Sequence, residues 1–300
     1  MDIIAREIVR HLPEEGESRR LFHGRGHCFN GLEDLVIDYY PPLVVVVLYR
    51  PRTEEWISEL TRMLLSLLPA EPQGLLLQER FRSGAPSRLL RGEIPEVVEA
   101  REGELRYRLR PGLAQNIGFF PDMAVGRRLL RRLAAEKKVL NLFAYTCSFS
   151  VAALAGGAAQ VVNLDMNRGA LDLGRLNHSI NDCDSRRASF LPLELFRSFG
   201  RLKRCGPFDL IVCDPPASQG KNFTAERHWP KLIRRMQELL TPQGEILACR
   251  STPTMSNGQL EELFAELLPA ARLSGRYGGG DDFPEADPGL GTTVLHYALN

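Results

Sequence analysis

Apolar and polar positions follow one rhythm in the N-terminal part of the chain and another from Lys138 onward. Residues 1–12 space their apolar side chains as a short helix does, and 13–31 form a polar, glycine-containing stretch ending in a turn at Asn30 and Gly31. Two β-branched runs follow, Leu35 to Asp38 and Leu43 to Tyr49; Pro41 and Pro42 between them lack ladder donors and mark the turn. From Glu54 to Leu68 the residues Trp56, Ile57, Leu60, Met63, Leu64 and Leu67 recur at helical spacing, and Pro69 stops the run. Leu75 to Leu77 and the alternating Glu104 to Leu109 predict two more strands. Residues 1–110 thus read as a small α+β domain.

Beyond Lys138 strand and helix patterns alternate. Val139 to Phe143, Val161 to Asp165 and Phe208 to Cys213 predict strands, with helices over 148–155, 167–181 and 226–240. Glu245 to Cys249 is a further strand, Gln259 to Leu268 a helix and Thr292 to Leu299 a final strand. Such alternation is the signature of a parallel sheet with crossover helices, so 111–300 is expected to form one doubly wound α/β domain.

Composition narrows the class. The chain has 300 residues, 44% hydrophobic and 25% charged, which suits two domains that bury their own cores. No apolar run approaches the roughly 20 residues that cross a bilayer, and the N-terminus mixes acids with its apolar residues, so a cytoplasmic protein without a membrane partner is expected. The cysteines at 28, 147, 183, 205, 213 and 249 form no Cys-x-x-Cys pair; His23, His27 and Cys28 lack a second ligand pair, and no metal is expected.

In doubly wound sheets, ligands bind beyond the carboxyl ends of the strands, where strand order reverses. Three strand ends here carry suitable residues. Ala144-Tyr145-Thr146-Cys147-Ser148 is a turn of small and polar residues entering a helix. Asp165 stands at the next strand end, where a carboxylate can accept both ribose hydroxyls of a nucleoside or can simply cap the following helix. Asp214-Pro215-Pro216 is the third: its two prolines fix the backbone and hold one carboxylate in one geometry, either as a rim for a reacting group or as a plain turn. A dinucleotide would need glycines in the first turn so that backbone could approach its pyrophosphate, and that turn has none. S-adenosylmethionine carries no phosphate and escapes the objection.

The run Gln115 to Asp122 (QNIGFFPD), then NLFAYTCSFSVAALAGGAAQVVNLD over 141–165 and DLIVCDPP over 209–216, resembles the bacterial large-subunit (23S) ribosomal RNA methyltransferases that modify cytosine-5 or guanine-N7. Residues 20–40 are similar to the start of the small domain that precedes their catalytic domain. The resemblance implies a class I, Rossmann-like methyltransferase fold, a seven-stranded and mostly parallel sheet, after a small α+β domain. It implies S-adenosylmethionine as cofactor and RNA, ribosomal, as partner. Phe119, Phe120 and Asp122 would wall the methionine end of the cofactor, and Asn141, Phe143, Ala144, Tyr145 and Thr146 would surround it from the first strand. Asp165 would hold the ribose, with Met166 also among the cofactor residues; the acid near adenine falls at Leu193 or Glu194, of which Glu194 is the ionisable choice. Asp214, Pro215 and Pro216 would face the transferring methyl and the target base.

The chain departs from the family pattern at Ile117 (usually Thr), Ala124 (usually Arg) and Cys147-Ser148 (usually Gly-Gly). No counterpart is expected of the PUA-like RNA-binding domain that begins some members. Cytosine-5 chemistry needs a cysteine nucleophile. Cys249 stands near that position and reads as nucleophile or as buried strand residue, while Phe223 or Trp229 could stack a base instead.

Net charge is only +1, so a nucleic acid would need a local patch. Residues 101–138 carry ten Arg or Lys against four acids. With Arg80, Arg82, Arg88 and Arg91 these grip RNA phosphates, or else Arg127, Arg128, Arg131 and Arg132 are the solvated face of an amphipathic helix. Two rivals remain beside an RNA methyltransferase: the same enzyme acting on a small molecule or protein, and a cofactor-binding module that has lost catalysis.

Overall fold

A computed structural model describes residues 1–14, 16–219, 223–252 and 254–299. The chain divides into two compact units, the first comprising Met1–Pro121 with Asp281–Ala286, the second Asp122–Gly280 with Asp287–Asn300. The first unit therefore ends after Pro121 rather than at 110. The reason is local: Leu109 N donates to Val98 O, Arg110 N to Ile117 O, and Gln78 Nε2 to Ala114 O, so the turn 109–117 is laced to strands of its own unit.

The first unit runs α1 (Asp2–Arg10), β1 (Arg19–His23), β2 (Leu35–Tyr40), β3 (Leu43–Leu48), α2 (Glu54–Leu67), β4 (Gly74–Glu79), β5 (Ser87–Gly92), β6 (Glu99–Glu102) and β7 (Leu105–Arg108). β1 to β5 form one sheet in sequence order, and β6 pairs with β7. Thr53 caps α2 by accepting from Trp56 N. Ile4 and Ile8 of α1 join Ile57, Leu60 and Leu64 of α2 over Ile37, Val44 and Leu75 of the sheet. β1 lies inside the stretch read as polar and glycine-containing. Its charge disguised it, because the Arg20 guanidinium is matched across the ladder by the Asp38 carboxylate on β2.

The second unit runs α3 (Ala124–Leu133), β8 (Lys138–Leu142), α4 (Ser148–Ala155), β9 (Gln160–Asp165), α5 (Arg168–Ile180), β10 (Ala188–Pro192), α6 (Phe199–Cys205), β11 (Phe208–Cys213), β12 (Ser218–Gln219), β13 (Phe223–Thr224), α7 (Ala225–Gln237), β14 (Leu240–Arg250), α8 (Asn257–Leu267), β15 (Ala271–Gly278) and β16 (Thr293–Leu299). Its sheet has seven strands in the order β10-β9-β8-β11-β14-β16-β15, parallel from β10 to β14, with β16 antiparallel to both neighbours. The central strands alternate between faces with period two. Val139, Leu210, Val212, Leu247 and Cys249 pack with Leu129, Leu130 and Phe149 of α3 and α4, whereas Leu140, Ile211 and Ile246 pack with Leu202, Trp229 and Phe264 of α6, α7 and α8. The chain starts at β8, moves outward to β10 and crosses back to β11 on β8's other side. Strand order therefore reverses between β8 and β11, where such sheets place their ligands.

Candidate functional site

The carboxyl ends of four strands are stitched into one rim by backbone bonds. Ala144 N donates to Leu164 O (3.0 Å), Leu193 N to Asp165 O (3.1 Å), and Asp214 N approaches Leu142 O (3.5 Å). The turn after β8 is held in an unusual conformation, with Phe143, Tyr145 and Cys147 all left-handed at φ 57°, 46° and 63°. Non-glycine residues avoid this region, and bulky ones there mark functional or over-determined turns. The Gly-Gly of the resembling family thus has a physical reading: this turn needs a left-handed residue at 147. Cys147 is accommodated because Gly174 of α5 faces it; a Cβ on Gly174 would lie 2.6 Å from the Cys147 Sγ.

Tyr145 N donates to one oxygen of Asp165 (2.9 Å) and Asn167 N to the other (2.8 Å). Asn167, not Asp165, caps α5, accepting from Ala170 N. A carboxylate offers about four acceptor positions. Asp165 uses two on backbone amides and keeps acceptor capacity for a vicinal diol, so it fits a ribose. Burial raises its pKa despite the two amides that lower it. Met166, next in the chain, leaves its side chain exposed.

Beneath the rim runs a buried polar chain. Asn141 Nδ2 donates to Asn163 Oδ1 (2.9 Å), and Asn163 Nδ2 to Ser150 Oγ (3.0 Å). Ser150 Oγ lies 2.8 Å from His178 Nε2, and His178 Nδ1 lies 2.7 Å from Gly174 O. One assignment satisfies every member: Nδ1 carries the His178 proton, Nε2 accepts from Ser150, and burial lowers the pKa to keep the ring neutral. The Asn141 side chain, expected at the cofactor, is 1% exposed and bonded inside this chain, so it braces the rim instead of lining it.

Asp214 opens the turn after β11, with Pro215 buried behind it. Its pKa rises to about 7, first because burial disfavours the charge, then because Asp122 lies near, while Arg127 opposes the rise. Asp122 is anchored by Thr292 Oγ1, which donates to it at 2.9 Å. Arg127, read as a phosphate grip or as part of a solvated helix face, is 1% exposed and fits neither; Arg128 and Arg132 keep the exposed face. Of the two readings of Cys249, the structure matches the buried strand residue. It is fully buried between the sheet and α3 and α4, and burial, followed by Asp214, drives its thiol pKa well up. A neutral, buried thiol is no nucleophile.

The other candidates separate. Trp229 is fully buried in the core, so it stacks no base. Phe223 is half-buried and faces Phe143 (centroids 5.2 Å) and His228 (4.9 Å). The Glu194 carboxylate accepts from Phe196 N and Arg197 N, capping the turn before α6. Phe119 and Phe120 belong to the first unit, where Phe119 stacks on Tyr107 at 4.8 Å and Phe120 is exposed. Sequence reading missed Gly174, Asn163, Ser150, His178 and Phe196. A chain-distant partner announces none of them.

The profile of S-adenosylmethionine-dependent methyltransferases matches residues 19–298. Ribosomal RNA large subunit methyltransferase I of Aeromonas salmonicida is 27% identical over 248 residues, 79% of this chain and 62% of the relative. The ribosomal RNA large subunit methyltransferase of Deinococcus radiodurans is 28% identical over 271 residues, 86% of this chain and 64% of the relative. The chain thus spans about three-fifths of the length of the curated relatives it matches. Among solved structures, a Streptococcus mutans protein assigned as a SAM-dependent methyltransferase gives a TM-score of 0.88 at 23% identity, covering 99% of this chain and 81% of that one. Another, assigned as a methyltransferase and complexed with SAH, gives 0.86 at 24% identity, covering 96% and 76%. At these identities the likeness is one of fold.

Proposed function

The chain belongs to the S-adenosylmethionine-dependent methyltransferase family, and from that premise we propose that it methylates a base of ribosomal RNA. The observation that carries the site is the placement of Asp165 and Asp214 at the carboxyl ends of the two strands flanking β8, at the point where strand order reverses. The RNA substrate is supported by the relatives, which are named as ribosomal RNA large subunit methyltransferases.

Bound S-adenosylmethionine would supply a methyl group on a sulfonium. Asp165 would accept the ribose hydroxyls, its carboxylate held by Tyr145 N and Asn167 N. Ala144, Tyr145 and Thr146 would border the cofactor through the turn after β8, Met166 would offer an apolar surface beside the ribose, and Asp122 would stand near Asp214. Methyl transfer is an in-line displacement aided mainly by positioning. Asp214, with Pro215 and Pro216 fixing its backbone, would orient the acceptor and take its proton. A carboxyl group titrating near 7 suits that task, because it is ionised often enough to accept a proton and basic enough to keep it.

The burial of Cys249 supports a nitrogen acceptor on the base over cytosine-5. Purified protein with methyl-labelled cofactor and ribosomal RNA from cells deleted for the gene should label RNA at one nucleoside, identified by mass spectrometry. Label only on protein or small molecules would overturn the RNA reading, and no label at all would favour a module that binds cofactor without turnover.

A further inference from the structure

Cations on α6 and α7 form a surface the sequence did not single out. Residues 194–205 and 225–238 carry eight Arg or Lys against Glu194, Glu226 and Glu238, an excess of five in a chain whose net charge is +1. On α7 the buried positions are Ala225, Trp229, Leu232, Ile233 and Met236, which leaves Arg227, Lys231 and Arg234 as one exposed stripe at helical spacing. Arg197, Arg201 and Arg204 make a second exposed stripe leading into and along α6. The two are adjacent: Lys231 Nζ sits 3.9 Å from the Phe196 ring centroid, Arg235 lies over Phe199, and Lys203 pairs with Glu238.

Among the described residues, Arg197, Arg201, Arg204, Arg227, Lys231 and Arg234 make no ion pair. Of the arginines expected to grip phosphates, Arg128 and Arg132 stay exposed on α3, but seven others are engaged or buried. Arg82 pairs with Glu79, Arg88 with Glu54, Arg91 with Glu71, and Arg106 and Arg108 with Glu99. Arg80 bonds Gln78, Gln115 and Asn116, and Arg127 is buried. The acids near α6 and α7 offer little competition, since Glu194 is held by two backbone amides and Glu238 by Lys203 and Arg235.

Where the stripes meet the carboxyl rim, half-buried rings gather. Phe223 stacks on His228 at 4.9 Å and 19°, Phe196 lies 5.6 Å from His228, and Phe143 closes the cluster. Unpaired cations running away from flat, half-exposed rings match single-stranded nucleic acid, whose phosphates need charge and whose unstacked bases need a π-face. The geometry points to this α6–α7 surface, with Phe196, Phe223 and His228, as the track for a single-stranded RNA segment adjoining the target base. The inference rests on the RNA reading above and adds where the strand lies.

The test compares two variants of the full chain with wild type for binding a single-stranded ribosomal RNA fragment across a salt series. One carries Arg201→Gln, Arg204→Gln, Arg227→Gln and Arg234→Gln; the other carries Arg128→Gln and Arg132→Gln on the exposed face of α3. Each phosphate contact on a single strand contributes about 0.7 to the slope of log affinity against log salt. The α6–α7 variant should therefore lose about 3 from that slope and at least about tenfold in affinity, while S-adenosylhomocysteine affinity is unchanged. The α3 variant should stay within about twofold of wild type, and Phe223→Ala should weaken RNA binding with no change in slope. Wild-type RNA affinity in the α6–α7 variant, or an equal loss in the α3 variant, overturns the track and leaves the RNA reading standing. Wild-type protein that binds no RNA at any salt removes both.

Discussion

A carboxyl group that titrates near neutrality switches charge within the pH range of an assay, and Asp214 is such a group. Burial and Asp122 raise its pKa to about 7, so activity that needs the carboxylate should climb through that pH. Asp122→Asn removes a raising charge and should move the inflection down; Arg127→Met removes a lowering one and should move it up. A pH–kcat/KM profile reads both shifts, and an inflection that neither substitution moves would remove Asp214 as the titrating group. The stability effect has a definite sign. A carboxyl pKa raised by folding contributes stability fully present below about 4 and lost as pH rises to about 7, up to about 4 kcal/mol. Asp214→Asn should thus stabilise the protein at pH 8 and have little effect at pH 4. Cys147 and Gly174 give a second residue-scale test. Gly174→Ala alone should cost about 1–3 kcal/mol, because its Cβ would clash with the Cys147 Sγ at 2.6 Å. Made together with Cys147→Gly it should cost far less, and urea unfolding that finds the two effects additive would dismiss the coupling.

Between elements, the chain from Asn141 through Asn163 and Ser150 to His178 ties β8, β9, α4 and α5 into one rigid support for the rim. Asn163→Ala strands the Asn141 amide and removes the donor to the Ser150 oxygen, which keeps only its bond to His178, with an expected loss of about 2–4 kcal/mol. Pairing it with Asn141→Leu should recover part of that loss, since an unsatisfied buried partner disappears; denaturant midpoints showing no recovery would mean that the chain does not act as a unit. His178 adds an acid sensitivity, because its pKa is lowered by burial and folding loses stability as pH falls below the ordinary imidazole range. Arg250 does for the end of β14 what this chain does for β8. Its buried guanidinium donates to Thr252 O, Met255 O, Gly291 O and Asn257 Oδ1, ordering the turn that leads into α8. The sequence left Cys249 at that strand end open as a nucleophile or a buried strand residue. The strand's period puts Cys249 into the core.

At the scale of the molecule, the chain leaves the second unit between β15 and β16 and contributes residues 281–286 to the first. There Arg19 donates to Asp282 (2.8 Å), Ala286 N to Gly26 O (2.7 Å), and Phe283 is buried under the Arg20 guanidinium. A fragment of residues 122–300 has none of these partners. A glutamate-specific protease should cut it after Glu285 far faster than it cuts the full chain; equal rates would show that the first unit gives this segment no protection. Nothing in residues 281–286 announces such an excursion, because its partners, Arg19, Arg20 and Gly26, lie some 260 positions away.

Spacing along the chain was enough to give the alternation of strand and helix after Lys138, three of the four strand ends that form the rim, and the carboxylates at 165 and 214, because each depends on residues only a few positions apart. Edge and charged strands such as β1 and β5 escaped it, since their polar residues are matched only by partners elsewhere. Tertiary structure alone decided which arginines are buried, paired or open, that Cys249 is core, and that Gly174 makes room for Cys147. Those are properties of what stands opposite a side chain, and the chain's linear order does not record the opposite wall.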